Sequence, residues 1–473
     1  MRNRKLQIGT VVLAACYVAS GLAATADDRM NIVFFLSDDQ RFDAMGCAGH
    51  PVIKTPTMDK LARQGVLFKN AFVTTSICAA SRASIFTGLV ERTHRYTFRE
   101  PPLASKFVDN SYPRLLRDAG YRTGFVGKFG VGVQRSEREN MFDFFKPLGR
   151  GPYFKKQADG SLRHITQIAA DRAIDFLKSH DRNKPFCLSI SYNAPHAEDG
   201  DKQNHFPWPK VVDGFYDDVT VAPPRLSNPA IFQSQPDFLK KSLNRQRYFW
   251  RWDTPEKYQQ NIKAYFRMIS GVDHSMGRVL DELQRLELAE NTVVLFMGDN
   301  GYYRANRGFA GKWSHYEDSL RVPMIIYDPR RDKKHRGRVA EQMALNIDMP
   351  RTMLAYAGVD TPDSYQGSDL SRLVAGEKPE TWRTDFFCEH LMRLPGGIPK
   401  WEGVREQRWV YARYFEQNPV YEFLHDLKND PDQLENLAAD AKYAKTLNQM
   451  RSRCNTLRDS YGGPYRSSAA ERR

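Results

Sequence analysis

An apolar run followed by a polar cluster recurs along the chain. It is first seen in the stretch Asn31-Ile32-Val33-Phe34-Phe35-Leu36-Ser37-Asp38-Asp39-Gln40. Residues 31–36 have the length and the apolar, β-branched and aromatic character of a buried strand. The polar residues that follow place two adjacent carboxylates at the carboxyl end of that strand. Functional groups of α/β proteins collect at this edge of the sheet, so Asp38 and Asp39 are candidate site residues.

Strand and helix patterns alternate over the first three quarters of the chain. Further strands are predicted at 66–73, 121–126, 185–191, 292–297 and 322–327, and helices at 57–64, 111–119, 164–180 and 258–286. This alternation predicts an α/β fold with a large, mostly parallel sheet between helices. Two later strands also end in polar clusters, Asn193-Ala194-Pro195-His196 and Asp299-Asn300.

After about Gly367 the pattern changes to short strands separated by turns, at 382–390, 403–415 and 421–426, with a closing helix at 441–457. This change predicts a small antiparallel C-terminal subdomain. We therefore divide the chain into a leader (1–26), a main N-terminal domain (27–370) and a C-terminal subdomain (371–473).

The N-terminus has the features of an export signal. A basic start, Arg2-Asn3-Arg4-Lys5, precedes an apolar run over 8–24, and Ala24-Thr25-Ala26 is a small-x-small cleavage site. A membrane anchor is an alternative, although the run is short for a span. A lipoprotein is another, because Leu13-Ala14-Ala15-Cys16 is similar to a lipobox. We expect an exported protein, periplasmic or secreted, without stable membrane insertion.

Composition and charge narrow the possible partners. Hydrophobic residues make up 41% of the chain and aromatic residues 12%, which excludes wholesale disorder. The net charge of +14 suits polyanions such as sulfated polysaccharides, but also a simple solvated basic surface. No nucleic-acid-binding module pattern is present, so we expect no nucleic-acid partner.

The cysteines beyond the leader are Cys47, Cys78, Cys187, Cys388 and Cys454. Their wide, irregular spacing argues against a disulfide framework or a Cys-x-x-Cys metal site. Their odd number indicates that one of them is not paired in a disulfide and has a different role.

The segment Cys78-Ala79-Ala80-Ser81-Arg82-Ala83-Ser84-Ile85-Phe86-Thr87-Gly88 resembles the signature of type I sulfatases, Cys-x-Pro/Ala-x-Arg followed by a short helix ending at Thr-Gly. The resemblance covers almost the whole mature chain and implies the alkaline-phosphatase-like fold, with 27–370 as the catalytic domain. Its further matches are Asp38-Asp39, Gly127-Lys128, Asn193-Ala194-Pro195-His196, Asp299-Asn300-Gly301, Lys312 before Tyr316-Glu317, and the late segments at 426–431 and 435–437.

The resemblance implies that a maturase, a transient partner, oxidises Cys78 to formylglycine. The hydrate of this aldehyde has two hydroxyl groups on one carbon, and one of them attacks sulfur to form a covalent sulfate ester. Deprotonation of the other restores the aldehyde and expels sulfate, whereas an ordinary serine would stall as a stable ester. Ala80, in place of proline, is similar to the substrates of anaerobic radical maturases.

The same resemblance implies Ca²⁺ as a cofactor. Asp38, Asp39, Asp299 and Asn300 match its ligands, with Cys78 also facing the ion. Ca²⁺ takes about six to eight oxygen ligands, and adjacent carboxylates repel one another unless a cation or hydrogen-bond donors are present. Without the Cys78 motif, each acidic pair is as readily a helix cap or a turn.

Arg82 matches the residue that stabilises the formylglycine hydrate, and Lys128, His196 and Lys312 match the sulfate-binding set. His196 or Lys312 is the implied proton donor to the leaving alcohol. The chain departs from the family at Gly130, because the usual motif is Gly-Lys-x-His. His164, His315 and His390 are candidates to replace the missing histidine.

Specificity is expected in loops above the strand ends. The candidate sugar contacts are Arg41, His94, Arg95, Tyr302, Tyr303, Arg304, His390 and Trp401, together with the basic-aromatic run 245–252. Each of these alone is as readily a packed or solvated residue.

The expected function is hydrolysis of a carbohydrate sulfate ester, in a carrageenan-like glycan or a glycosaminoglycan. One alternative is a phosphomonoesterase or phosphodiesterase of the same fold, which would use Ser or Thr with two zinc ions. The other is a non-catalytic relative that binds sulfated glycans.

Overall fold

The computed structural model describes residues 29–98, 102–392, 394 and 397–465. The predicted leader and its cleavage site lie outside the described residues. No helix in the described ranges combines the length and the apolar character needed to cross a bilayer.

The described strands and α-helices follow one another through both regions of the chain. The strands are β1 (Asn31–Ser37), β2 (Val66–Phe68), β3 (Ala71–Phe72), β4 (Arg122–Gly127), β5 (Phe144–Pro147), β6 (Phe154–Lys156), β7 (Leu162–His164), β8 (Phe186–Ser191), β9 (Thr292–Gly298), β10 (Met324–Tyr327), β11 (Arg338–Ala340), β12 (Ala344–Leu345), β13 (Asp385–His390), β14 (Trp401–Glu406), β15 (Trp409–Tyr414) and β16 (Tyr421–Asp426). The helices are α1 (Pro56–Gln64), α2 (Cys78–Thr87), α3 (Glu91–His94), α4 (Ser105–Asp109), α5 (Tyr112–Asp118), α6 (Arg135–Met141), α7 (Ile165–Lys178), α8 (Pro229–Gln233), α9 (Asp237–Lys240), α10 (Leu243–Arg251), α11 (Pro255–Arg285), α12 (Glu317–Leu320), α13 (Asp348–Ala357), α14 (Ser371–Val374) and α15 (Ala444–Ser460).

The main sheet has the strand order β11-β2-β10-β9-β1-β8-β4-β5. Its pairs are parallel except those that β10 makes with β9 and β2, so the predicted mostly parallel sheet is confirmed. Ser37 of β1 pairs with Gly298 of β9, and Leu36 pairs with Ser191 of β8. The carboxyl ends of β9, β1, β8 and β4 therefore meet at one edge.

Both faces of this sheet are buried. Ile32, Phe34 and Leu36 of β1 pack into a core that includes residues of α2, α5 and α13. Val33 and Phe35 point to the opposite face, into a core formed with α1, α7 and α11. Burial on both faces explains why β1 is apolar throughout instead of alternating between apolar and polar residues.

The C-terminal strands form the antiparallel sheet β13-β14-β15-β16, as predicted. One face packs against α15 through a cluster that includes Leu424 and Met450. Residues of the other face join the core of the main domain. The Trp401 indole nitrogen donates to the carbonyl of Trp313 at 2.7 Å, which fixes this sheet beside the loop that carries Lys312.

Two predicted strands are wrong in extent. The segment 66–73 is two strands, because the polar pair Lys69-Asn70 interrupts it; β2 joins the main sheet and β3 pairs with β12. The segment 403–415 is also two strands, β14 and β15. The connection at 407–408 contains neither glycine nor proline, so the sequence carries no strong turn signal there.

Candidate active site

Two acidic segments meet where neighbouring strands end. Asp38 and Asp39 follow β1, and Asp299 and Asn300 follow β9. The Asp39 amide donates to Asp299 Oδ1 at 3.3 Å, and Asn300 Nδ2 donates to Asp39 Oδ1 at 2.6 Å. Asp39 has a φ of 64°, a left-handed conformation that non-glycine residues adopt rarely and often at functional sites.

Helix α2 brings Cys78 to this edge of the sheet. Cys78 is the first residue of the helix and is 8% exposed. Its Sγ atom and carboxylate oxygens of Asp38 and Asp299 all lie within 4.8 Å of one another. The helix N-terminus favours an anionic or nucleophilic group at this position, because its backbone N–H groups point toward it.

Arg82 lies one turn after Cys78 on the same face of α2. Its Nε donates to Asp299 Oδ2 at 2.8 Å, and its Nη1 donates to the carbonyl of Lys128 at 2.6 Å. The side chain is almost fully buried. Arg82 therefore ties α2 to the ends of β9 and β4.

Two lysines bring positive charge to the carboxylates. Lys128, directly after β4, donates to Asp38 Oδ2, and Lys312 donates to Asp39 Oδ1. Burial opposes ionisation of Asp38, but the neighbouring Lys128, His196, Lys312 and Arg82 side chains together hold the pKa of its carboxyl well below the usual range. Burial lowers and Asp39 raises the pKa of Lys312, and the net direction is upward, so this ammonium keeps its proton.

His196 lies after the end of β8, with both ring nitrogens near oxygen atoms. Its Nδ1 is 2.7 Å from the carbonyl oxygen of Ala197. A carbonyl only accepts, so we assign the proton to Nδ1. Nε2 lies 3.7 Å from Asp39 Oδ2. Burial lowers the pKa of His196 to about 4, against the opposing effect of Asp39 and Asp38.

The oxygen atoms of this cluster fit a hard cation. Asp38 Oδ1, Asp39 Oδ2 and Asn300 Oδ1 are buried and accept no hydrogen bond from the described residues. A buried oxygen without a partner is costly, and carboxylate and amide oxygens are the donors that Ca²⁺ prefers. The three carboxylates are also already balanced by Arg82, Lys128 and Lys312, so an entering anion needs an additional positive charge.

The sequence model of the family described as Sulfatase matches residues 30–359. The chain belongs to the sulfatase family. It is therefore a sulfuric ester hydrolase of the alkaline-phosphatase-like superfamily, as the Cys78 motif predicted. A second model, described as N-sulphoglucosamine sulphohydrolase, C-terminal, matches residues 305–460 of this sulfatase.

Known proteins similar to this sulfatase cover most of its length. The N-acetylglucosamine-6-O-sulfatase of Bacteroides thetaiotaomicron is 26% identical, over 89% of this chain and 85% of that protein. A structure solved in complex with its substrate D-glucosamine-2-N,6-O-disulfate has a TM-score of 0.77 and 24% identity, over 92% and 98% of the two chains. The phosphonate monoester hydrolase of Agrobacterium radiobacter has a TM-score of 0.78 and 23% identity, over 92% and 96%. The two structural similarities show the shared fold and do not decide which ester is cleaved.

The sulfatase departs from its family motif at Gly130, which lies against Arg82. Gly130 has a φ of 72°, and a Cβ built there would lie 2.9 Å from Arg82 Cδ. Two of the histidines considered as replacements have other partners. His164 caps α7 and contacts the Pro207 carbonyl, while His315 contacts Tyr414 and His425.

Tyr96 is a buried tyrosine, bonded to the segment after β4, that sequence reasoning missed. It is 7% exposed, and its hydroxyl oxygen accepts a hydrogen bond from the Gly132 amide at 2.8 Å. Burial raises the pKa of Tyr96, the hydrogen bond from Gly132 lowers it, and negative charge at Cys78 raises it. No spacing or motif around Tyr96 signals this position.

The predicted sugar contacts lie in different surroundings. Arg41 and Arg304 both pair with Asp43, and Arg41 also binds Asp318 at 2.7 Å. His94 and Tyr303 are buried with their polar atoms bonded to Ser84 and Ser314 respectively. These contacts argue against direct sugar binding by His94 and Tyr303.

Trp401 is fully buried with its indole nitrogen bonded to the Trp313 carbonyl, which argues against sugar binding, whereas Arg95, Tyr302 and His390 remain candidates. Arg95 is exposed at the end of α3. Tyr302 and His390 are buried, and the Tyr302 hydroxyl and both ring nitrogens of His390 have no hydrogen-bond partner among the described residues.

Proposed function

We propose that this sulfatase hydrolyses sulfate esters of a carbohydrate, using Ca²⁺ and a formylglycine made from Cys78. The proposal rests on one observation above all. The first residue of α2, two strand-end carboxylates and two lysines converge on one edge of the sheet. A cysteine packed in the core for structural reasons alone would not need this surrounding charge.

A metal ion and a modified residue would supply the proposed chemistry. Ca²⁺ would be held by Asp38, Asp39, Asp299 and Asn300 and would supply positive charge opposite the sulfate oxygens. Formylglycine at position 78 would supply the nucleophilic hydroxyl group.

The side chains of this sulfatase would position and stabilise the reacting groups. Arg82 fixes Asp299 and the backbone of Lys128, so that α2 and the strand ends keep their relative positions. The Lys128 and Lys312 ammonium groups would donate hydrogen bonds to sulfate oxygens as charge develops on them. Lys312 Nζ would hold the proton that goes to the leaving alcohol oxygen, whereas His196 Nε2 could donate one only after taking up a second proton on the ring.

Three observations support a carbohydrate substrate and export. The N-acetylglucosamine-6-O-sulfatase relative covers most of the chain, and the chain has a net charge of +14, which suits an anionic glycan. The apolar N-terminal run supports a periplasmic or secreted location, where such glycans occur. A formylglycine-generating maturase would be a transient partner before or during export.

The test is sulfate release from a panel of sulfated oligosaccharides, measured by ion chromatography. We would compare protein coexpressed with a maturase, its Cys78→Ala variant and a Cys47→Ala control. Burial raises the pKa of the Cys47 thiol to about 12, so this cysteine is a poor nucleophile. We expect release by the wild type and Cys47→Ala, and none by Cys78→Ala.

The same assay separates the alternatives. Hydrolysis of phosphate or phosphonate monoesters in preference to all sulfate esters would favour the phosphoesterase reading. Binding of sulfated glycans without turnover, by protein whose formylglycine is confirmed by mass spectrometry, would favour the non-catalytic reading. Full activity of Cys78→Ala would refute the proposed nucleophile.

A further inference from the structure

A cluster of three arginines surrounds Asp199, three residues after His196. Arg251 Nη2 lies 2.5 Å from Asp199 Oδ1, and Arg247 Nη2 lies 2.9 Å from Oδ2. Arg150 Nη2 lies 3.6 Å from the same Oδ2 atom. One carboxylate therefore pairs with three guanidinium groups, which leaves an excess of two positive charges among these four side chains.

The cluster also has more hydrogen-bond donors than acceptors. The Arg251 side chain is fully buried, yet its Nε and Nη1 have no partner among the described residues. The Arg247 Nε and the indole nitrogen of buried Trp313 are also without partners there. Buried donors left unpaired are costly in a folded protein, so this arrangement favours an acceptor of negative charge.

The cluster borders the catalytic site. Helix α10 places Arg247 and Arg251 one turn apart, and the Arg247 guanidinium carbon lies 4.9 Å from the ring centroid of Trp313, the residue after Lys312. On the other side, Asp199 belongs to the loop that begins with His196.

Solvent reaches the cluster from one side. The side chain of Arg150 is 43% exposed, and those of Asp199 and Arg247 are 17% and 14% exposed. A ligand can therefore approach Arg150 and Arg247 while Arg251 forms the buried floor.

We infer that Arg150, Arg247 and Arg251 form a second anion-binding subsite, which holds another sulfate or a carboxylate of the same saccharide whose ester is cleaved at Cys78. The inference rests on the proposed function. Guanidinium groups bind sulfate and carboxylate oxygens through paired, charge-assisted hydrogen bonds. Asp199 positions the guanidinium groups, and their excess charge attracts the second anion. The substrate class is accordingly a saccharide with at least two anionic groups.

The experiment uses pairs of sulfated saccharides that differ only in the second anion. In the first arm, one saccharide of each pair carries a second sulfate that the other saccharide lacks. In the second arm, one saccharide of each pair has a uronate next to the sulfated sugar, where the other saccharide has the corresponding neutral sugar. For each pair we would measure the ratio of kcat/KM with the second anion to kcat/KM without it. The proteins are the wild type, Arg247→Gln, Arg150→Gln and the matched control Arg245→Gln.

We expect a wild-type ratio well above one in one arm, and that arm identifies the second anion as sulfate or carboxylate. Arg247→Gln should lower this ratio about 10- to 100-fold, mainly through KM, because charged hydrogen bonds are lost. Arg150→Gln, on an exposed side chain, should lower it less. Arg245 belongs to the run 245–252 considered as sugar contacts, but its guanidinium carbon lies 3.9 Å from the ring centroid of Phe232 and its Nη1 donates to the Gly308 carbonyl, which argues against that role. Arg245→Gln should therefore keep the wild-type ratio.

Other outcomes would overturn the inference. A wild-type ratio at or below one in both arms would contradict the subsite, as would an Arg247→Gln variant that loses activity equally on both members of a pair. Melting temperatures of all four proteins would show whether Arg247→Gln is folded. Because Arg150 is more exposed, Arg150→Gln tests the same subsite even if Arg247→Gln does not fold. Sulfate release from none of the saccharides, with formylglycine confirmed, would instead contradict the proposed function, and the inference would fall with it.

Discussion

Two features of the structure disfavour a side chain at position 130: the left-handed backbone conformation of Gly130 and the close approach of Arg82. Its φ of 72° costs a residue with a Cβ about 1 to 2 kcal/mol, and the added atom would lie 2.9 Å from Arg82 Cδ. We expect Gly130→Ala to lower stability and also to lower kcat about 10- to 100-fold, because Arg82 must move away from Asp299. Gly130→His should not restore the family's motif but lose activity in the same way.

Gly120 offers a control that separates these two effects. It has a φ of 87°, but a Cβ built there would meet nothing within 4 Å. Gly120→Ala should lose similar stability in thermal unfolding and keep its kcat for sulfate release. Equal kcat values for Gly130→Ala and the wild type would show that the position of Arg82 tolerates the added atom.

Tyr96 is expected to contribute a hydrogen bond near residue 78. Its oxygen already accepts from Gly132, so its own proton remains free for donation. Tyr96→Phe removes this donor at almost constant volume, and we expect kcat to fall about tenfold with a smaller change in KM. Tyr112→Phe is the matched control, because its buried hydroxyl bonds Ser189 at 2.6 Å inside the core; it should affect stability and leave kcat unchanged. Equal kcat for both variants would remove Tyr96 from the site.

Strands at the centre of the main sheet were predicted closely from sequence because they are buried on both faces. Those predicted at 31–36, 185–191 and 292–297 correspond to Asn31–Ser37, Phe186–Ser191 and Thr292–Gly298. The short strands were predicted less well. The break in 66–73 falls at the polar pair Lys69-Asn70, but the sequence does not show that β2 pairs with β10 and β11 while β3 pairs with β12.

Some residues of the candidate site could also be predicted from the sequence, and others could not. Residues that follow a strand, such as Asp38 and Asp299, could be predicted because parallel strands bring their carboxyl ends together. The arginine cluster could not, because Asp199 is 48 positions from Arg247 and lies on a loop. Only the packing of α10 against the loop after β8 brings them together.

Helix α3, which Arg92 joins to Glu389 of β13, carries a buried acidic group whose charge is costly. Glu91 is buried, and its carboxylate oxygens have no hydrogen-bond partner among the described residues. Burial and the neighbouring Glu389 raise the pKa of Glu91 to about 8, although the nearby Thr97 and Thr75 hydroxyl groups and Arg92 oppose this. A raised pKa means that the folded state binds the proton more tightly. The contribution to stability is therefore present below about 4.5 and is lost as pH rises through about 8.

Glu91→Gln removes this titration. We would measure the free energy of unfolding of both proteins by urea denaturation. The value for the variant minus the value for the wild type should rise by at least about 1 kcal/mol from pH 5 to pH 9. Glu341→Gln is the control, because that side chain is 64% exposed. A wild-type-to-variant difference that is the same at both pH values would show that Glu91 is ionised throughout this range.

A bound Ca²⁺ would connect elements that are distant in sequence, since its proposed ligands follow β1 and β9 and face the start of α2. Because such an ion binds only the folded protein, it adds about 2.7 kcal/mol of stability at a concentration one hundred times its Kd. We expect the chelator-treated protein to have a melting temperature several degrees lower, and added Ca²⁺ to restore it. This readout does not depend on formylglycine or on turnover.

Two substitutions would locate the ion. Asp299→Asn should abolish the shift caused by Ca²⁺, because one charged ligand is lost and Arg82 loses its partner. Asp328→Asn is the matched control; that carboxylate is also buried, but it pairs with Arg330 and Arg331 just after β10. It should lower stability and keep the Ca²⁺ shift. If neither the wild type nor Asp328→Asn responds to Ca²⁺ and chelation leaves sulfate release intact, the unpaired oxygens of Asp38, Asp39 and Asn300 must be satisfied without the ion. The lysine pairs with Asp38 and Asp39 would then be the permanent neutralising contacts of the site.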